Sequence, residues 1–326
     1  MDRSWIGLHE RLIESRVRRI LNSLILSGML VLSAMMSCTL DAEELVANDP
    51  ELGYQLYTIR DQLTDSTAIH YTLAKTHAMG LNLAETFGWR SSDNTVLGLE
   101  GTTWKALLAA NGQHSISGHY VPSEFEQNEV VPIDTSVIPG LLDVAQSMGQ
   151  KWVILPWMTP AWRTDSGAQE IVKYMKALGR QANARGMRAA YHNHDFEFTT
   201  AMSNGMPLYA YLLDQLPREL VDFQMDLYWT SLAGEDPLTW FAQHPGRFVL
   251  WHVKDMDPQD STLQVPVGQG QIDWPRIFAA REQAGMLHYF LEQDECQIGK
   301  TSMECLEASS NYRKAVLHPA LDVESE

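Results

Sequence analysis

Carboxylates and imidazoles recur in this chain at one kind of place, the polar end of a short apolar run. Glu85 closes LNLAE, His119 closes ISGH, and His192 and His194 stand in RAAYHNHDF. Asp226 ends VDFQMD, His252 lies in RFVLWHVKD, and Glu292 in HYFLEQDE. Oxygen and nitrogen donors of these types, brought together, form a mixed ligand set for one divalent ion such as Mn, Zn, Co or Fe. A lone histidine at the end of a run is usually structural. Such residues at four successive ends argue for a site.

The elements that must position them are legible. Eight runs, GYQLYTIRD, LNLAETFG, ISGHYVP, KWVILPWM, RAAYHNHDF, VDFQMDLYW, RFVLWHVKD and HYFLEQDE, are nearly continuously apolar, as parallel strands buried on both faces must be. Helical patterns separate several of them: residues 65–80, 136–149, 168–186 and 273–285 each end on Gly, a favoured helix stop, and a strand-like run follows. No glycine-rich phosphate loop follows any strand, which disfavours an open dinucleotide-binding sheet. The pattern predicts a single (β/α)8 barrel over residues 50–318, with the strand ends converging on one face. Gln55, Tyr57, Glu85, His119, Tyr228 and Trp229 are expected on that face as substrate-binding groups. Residues two apart share a strand face, so His192 pairs with His194, Asp226 with Tyr228, His252 with Lys254, and Glu292 with Asp294. Asp255 points the other way. Tyr57, Tyr120, Trp157, Tyr228 and Trp229 are candidates for stacking on a sugar ring, whereas Trp89, Trp152 and Trp251 read as packing residues. Residues 123–136 read as a long loop over the barrel mouth.

Residues 1–42 stand apart. A basic stretch ending at Arg19 precedes an apolar run of about 18 residues, the pattern of a secretory signal with a short linker. Cys38 follows Met-Met-Ser, a loose lipoprotein box, so the alternatives are lipidation at Cys38, ordinary cleavage nearby, or an uncleaved anchor. Each exports the rest of the chain to the periplasm or the membrane surface, and any membrane partnership is expected only through that N-terminal lipid or anchor. The net charge of −17 and the lack of a Lys/Arg cluster beyond the leader argue against a nucleic-acid partner, which requires a basic footprint. Cys296 and Cys305 are the only cysteines beyond Cys38. In an oxidising compartment they pair; otherwise they are two unrelated thiols.

LGYQLYTIRD, YHNHDFEF, QMDLYW, LWHVKD and VGQGQIDW, in that order, resemble the xylose-isomerase-like sugar phosphate isomerase/epimerase superfamily. The resemblance runs from Gly53 to Glu295. It implies a TIM barrel holding one divalent metal ion through Glu, Asp, His and Glu at the ends of strands five to eight. Three ligands carry over as Asp226, His252 and Glu292. The first departs: His192 stands at the Glu position, with His194 and then Glu197 as alternatives. Gln269 stands where many relatives have Glu.

In the epimerases that the chain resembles, the first and last metal-binding Glu act as the two bases. Here Glu292 is one, and His192 or His194 would be the other. A carboxylate with an imidazole suits either epimerisation through an enediolate or a directional elimination, and Lys254 adds positive charge for the oxyanion. No basic pocket marks a phosphate, so the expected substrate is a non-phosphorylated keto-sugar, inositol or glycoside. The expectation is thus a metal-dependent isomerase or epimerase, with a lyase or dehydratase close behind. The alternative from another class is an exported sugar-binding lipoprotein on a catalytically degenerate barrel.

Overall fold

The computed structural model describes residues 52–297 and 299–317. The leader expected over residues 1–42, with Cys38, lies outside them, as do the expected barrel limits at 50 and 318. Eight strands form one parallel sheet: β1 Leu52–Gln55, β2 Leu83–Glu85, β3 Ser117–His119, β4 Trp152–Leu155, β5 Arg188–His192, β6 Val221–Asp226, β7 Leu250–Val253 and β8 His288–Leu291. Their spatial order is β2-β1-β8-β7-β6-β5-β4-β3. Parallel bridges from Leu83 to His114 and from Thr86 to Gly118 bring the two edges together. The ring is thus nearly closed, as a (β/α)8 barrel requires.

The expected helices are present with small shifts at their ends: α1 Ser66–Ala78, α3 Ile138–Met148 and α4 Asp165–Asn183, with α2 Gly101–Ala110 between the first two. The pattern over 273–285 resolves into two short pieces, Trp274–Phe278 and Arg281–Ala284. Gly149 and Gly285 end their helices in the left-handed conformation, φ 87° and 79°, which glycine adopts without strain.

Inside the barrel, alternation sorts the side chains into layers. Leu83, Ile116, Trp152, Ile154, Ala190, Leu250 and Phe290 form an apolar floor. Two residues further along, the same strand faces carry Glu85, His192, His252 and Glu292, so one period of the pleat takes the interior from apolar to polar. Gly53 belongs to the floor for a steric reason. A Cβ there would stand 2.3 Å from a Phe290 ring carbon. Outside the barrel, the helices cover a continuous apolar core that includes Val153, Leu155, Tyr191, Phe223 and Trp251.

Candidate active site

Glu85 is the hub of the polar layer and is fully buried. It accepts hydrogen bonds from Gln55 Nε2 (2.8 Å), Ser117 Oγ (2.6 Å) and Gln224 Nε2 (2.8 Å), and its Oε1 lies 2.6 Å from His252 Nε2 and 3.0 Å from His119 Nε2. Burial pushes its pKa up, but the charges and hydrogen bonds of His119 and His252 outweigh burial and hold it below the usual carboxylate range. His252 is bound on both sides, since its Nδ1 lies 2.6 Å from Glu292 Oε2. Burial opposes its protonation, yet Glu292 and Glu85 raise its pKa to about 10. The ring thus bridges two carboxylates, and it can bind a metal ion only after losing the proton on the coordinating nitrogen.

Gln224 fixes the tautomer of His192. Its Nε2 is spent on Glu85, so its Oε1, 2.9 Å from His192 Nδ1, must accept a proton from that ring. Nε2 of His192 then carries a lone pair. It faces Asp226 Oδ2 at 3.9 Å. Burial, and then the charge of His252, lower the His192 pKa well below its ordinary value, which keeps the ring neutral. Asp226 closes β6 and caps the short helix Leu227–Leu232, its Oδ1 accepting from Tyr228 N and Trp229 N. Its Oδ2 is buried and makes no hydrogen bond. Burial raises the Asp226 pKa to about 6, against the pull of Lys254.

Lys254 Nζ sits among three carboxylates, 3.1 Å from Asp226 Oδ2, 2.8 Å from Glu292 Oε2 and 2.9 Å from Asp294 Oδ2. Burial favours its neutral form, but those three charges prevail and its pKa rises well above normal. Burial would likewise raise that of Glu292, but Lys254 and His252 hold it well below its ordinary value. Glu292 is thus kept ionised.

A metal ion fits this arrangement. Asp226, His252 and Glu292 each offer a ligand atom, all within 4.8 Å of one another. The donors are oxygen and nitrogen, as a borderline divalent ion prefers. Asp226 Oδ2, paired with the Lys254 ammonium but without a hydrogen bond, faces a second acceptor, His192 Nε2, at 3.9 Å, and a further cation at these carboxylates would offset their charge. His192 itself groups with His119 and His252 in a second trio and borders the first one through Asp226.

A cavity of about 420 Å³ opens above these groups. Of the residues singled out from the sequence, Tyr57, His119, His192, His194, Trp229, Lys254 and Glu292 line it, as does Trp157. Gln55, Glu85, Asp226, Tyr228 and His252 are not on its wall; Asp226 and His252 are fully buried beneath it. Gln55 and Glu85 lie buried in the polar layer, bonded to each other. Tyr228 is turned away because the strand ends at Asp226 and helix begins, so the two-residue alternation no longer applies. Its hydroxyl donates instead to Ser261 O and Thr262 O, both at 3.2 Å. Trp229 takes the place on the wall.

Glu197 is buried behind the strand, accepting from Tyr191 Oη (2.8 Å) and from His194 N (2.8 Å). It belongs to neither metal-ligand trio. His194 packs against Phe196 and Trp229, and burial lowers its pKa to about 3. Tyr120 is buried and bonded to Gln150. Trp89, expected to be a packing residue, lines the cavity as well as packing against Tyr120. The expected loop over the mouth contributes Glu126, while its Phe125 is anchored against Trp162.

Ser117, Gln224 and Asp294 were not among the candidate site residues. The signal for the first two was available, since Ser117 lies two residues before His119 and Gln224 two before Asp226. Asp294 lies two residues beyond Glu292, on the same face.

An eight-stranded parallel barrel with carboxylates, imidazoles and a lysine at the C-terminal strand ends defines the class of protein as a barrel with its site at the mouth of the sheet. The sequence pattern of the xylose isomerase-like TIM barrel family matches residues 73–307, and the chain belongs to that family. Among solved structures it is similar to a sugar phosphate isomerase/epimerase from Parabacteroides distasonis ATCC 8503, with a TM-score of 0.71 and 22% identity over 85% of this chain and 97% of that one. It is also similar to the IolI protein with a bound zinc atom, with a TM-score of 0.62 and 13% identity over 83% and 99% of the two chains. A D-allulose 3-epimerase from Methylomonas sp., in complex with D-allulose, has a TM-score of 0.63 and 14% identity over 82% and 96%. No curated protein matches the chain significantly.

Proposed function

We propose that this chain is a divalent-metal-dependent isomerase or epimerase of a non-phosphorylated keto-sugar, inositol or glycoside. The observation that carries the reading lies at and beneath the cavity wall, where Asp226, His252 and Glu292 bring ligand atoms within 4.8 Å of one another and Lys254 pairs with both Asp226 and Glu292. Sugar isomerases and epimerases among its structural neighbours, and zinc in one of them, support it. Asp226, His252 and Glu292 would hold the ion, which leaves Nε2 of His192 for proton transfer. When bound, a divalent ion polarises a substrate carbonyl and the hydroxyl next to it.

The chain's own groups then have distinct tasks. Glu292, kept ionised, takes the proton from the carbon beside the carbonyl. The C–H electron pair moves into the carbonyl, giving an enediolate, and the Lys254 ammonium offsets its negative charge. His192, its Nδ1–H held by Gln224, first takes up a proton on Nε2 from a substrate hydroxyl or water and then delivers it in the second proton transfer. Return of a proton to the opposite face completes an epimerisation. Expulsion of a β-oxygen as water or alcohol, protonated on leaving, would make the enzyme a lyase; the unlike pair of carboxylate and imidazole favours that second reading. We also propose that the protein is exported, on the strength of its N-terminal segment.

The test is solvent deuterium exchange followed by NMR on a keto-sugar. Wild type should exchange one C–H, and Glu292→Gln should lower that exchange about 10²–10⁴-fold while remaining folded. Inversion at the exchanging carbon identifies an epimerase, and loss of water or alcohol a lyase. Turnover by wild type with no exchange into substrate or product would overturn the enediolate reading.

A further inference from the structure

The cavity above Glu292 shares a wall with a second one. Trp229 and Asp294 line both, and the second, of about 790 Å³, is completed by Tyr228, Leu232, Leu263 and Val265 among others. We infer that this second cavity is a subsite for an uncharged ring, a second sugar or an aryl group, joined to the reacting sugar through a glycosidic oxygen. The inference rests on the first cavity being the substrate site, and it narrows the substrate class to glycosides.

Three observations carry it. The first is that the wall is built. Asp294 N donates to Gln264 Oε1 (2.6 Å), Asp294 Oδ2 accepts from Gln264 Nε2 (2.7 Å), and Tyr228 Oη holds the backbone at Ser261 and Thr262. These bonds fix the hairpin formed by Asp255–Met256 and Gln264–Val265. The same Asp294 Oδ2 receives Lys254 Nζ at 2.9 Å, so the wall that Asp294 shares with Trp229 is tied directly to the reacting groups.

The second is chemical. Leu263 is 56% exposed beside the aromatic rings of Tyr228 and Trp229, a surface that gains by covering with a ring. The polar rim holds Asp257, Asp294 and Glu295 with no Lys or Arg among the lining residues, so a phosphate or carboxylate is disfavoured there.

The third lies at the shared wall. Trp229 Nε1 is buried without a hydrogen-bond partner. That atom is out of reach of either cavity, so a ligand spanning both would meet the face or edge of the indole ring and not its N–H.

The experiment uses the full chain with 3-keto-glucose, its methyl β-glycoside and its phenyl β-glycoside. Wild type should prefer the phenyl over the methyl glycoside by about tenfold or more in kcat/KM. Leu263→Asp should lower that preference about tenfold, the order expected from losing one leucyl contact with an apolar ring, and Leu263→Ala should lower it less. A wild-type ratio near one, or a ratio unmoved by Leu263→Asp, overturns the subsite. Calorimetry with unoxidised phenyl β-glucoside needs no turnover. Weaker binding to Leu263→Asp supports the subsite even if no keto-sugar reacts, in which case the functional reading fails alone. Turnover of 3-keto-glucose without any phenyl preference has the opposite meaning.

Discussion

Single side chains set the charge state of this site. Asp226 Oδ2 and His192 Nε2 meet as two acceptors because Gln224, anchored by Glu85, dictates which nitrogen of His192 carries the proton. Purified protein should therefore carry about one divalent ion per chain, and Asp226→Ala or His252→Ala should each remove it. Even loss of a group that merely orients a ligand costs about 10–100-fold in affinity. Elemental analysis decides, and unchanged metal content in both variants would end the metal-site reading. Glu197 gives a second prediction at this scale. Burial raises its pKa from the ordinary 4.5 to about 8, despite hydrogen bonds from Tyr191 and His194. Between those values the folded chain holds a proton that the unfolded chain has released, so stability must fall as pH rises from about 5 to 8. Glu197→Gln is neutral at every pH, and the Tyr191 hydroxyl can turn to accept from the new amide. The variant should have a flatter melting temperature over that range. Equal slopes would mean that Glu197 ionises in the fold as readily as in water.

At the scale of elements, the ends of strands do two jobs each. Asp226 both presents an oxygen to the site and caps the helix that follows, which is why the chain turns there and Trp229 reaches the cavity. Asp255, just beyond β7, organises a loop in the same way. Its carboxylate accepts from Met256 N, Gly268 N, Gly270 N, Ile272 N and Trp274 Nε1. A Cβ on Gly270 would lie 2.1 Å from Asp255 Oδ1, so glycine is required where the loop closes on that carboxylate. Asp255→Ala would leave several buried donors without an acceptor and should cost about 3 kcal/mol or more. Denaturant unfolding measures this directly. A cost within the range of a surface substitution would show that the loop is held by its apolar contacts instead.

For the whole molecule, closure of the ring makes the site, since residues remote in sequence meet only across the barrel. The Cys296–Cys305 disulfide, with Cα atoms 6.2 Å apart, ties the segment after β8 to the helix Ser302–Tyr312. A disulfide accords with the oxidising compartment that export would provide. If residues 1–42 are a leader, the full chain should be recovered outside the cytoplasm in processed form. Palmitate labelling that disappears in Cys38→Ala would identify a lipid anchor, and unprocessed full-length chain confined to the cytosol would refute export.

The sequence alone determined the architecture and most of the cast. Continuous apolar runs define strands buried on both faces, and helix-ending glycines mark where several begin. Alternation then puts Lys254 with His252 and Asp294 with Glu292, because pleat periodicity is a local property of the backbone. The same rule misplaced Tyr228, since it lapses where Asp226 starts a helix. The partnerships across the ring were beyond any local pattern. His252 and Glu85 meet across 167 residues, and Gln224 and Glu85 across 139. Whether Glu85 lines the cavity or sits beneath it depends on barrel closure and the depth of each layer. Those distances, the tautomer of His192 and the wall shared by two cavities were decided only by the tertiary structure, because hydrogen bonding and burial depend on neighbours that chain order does not specify.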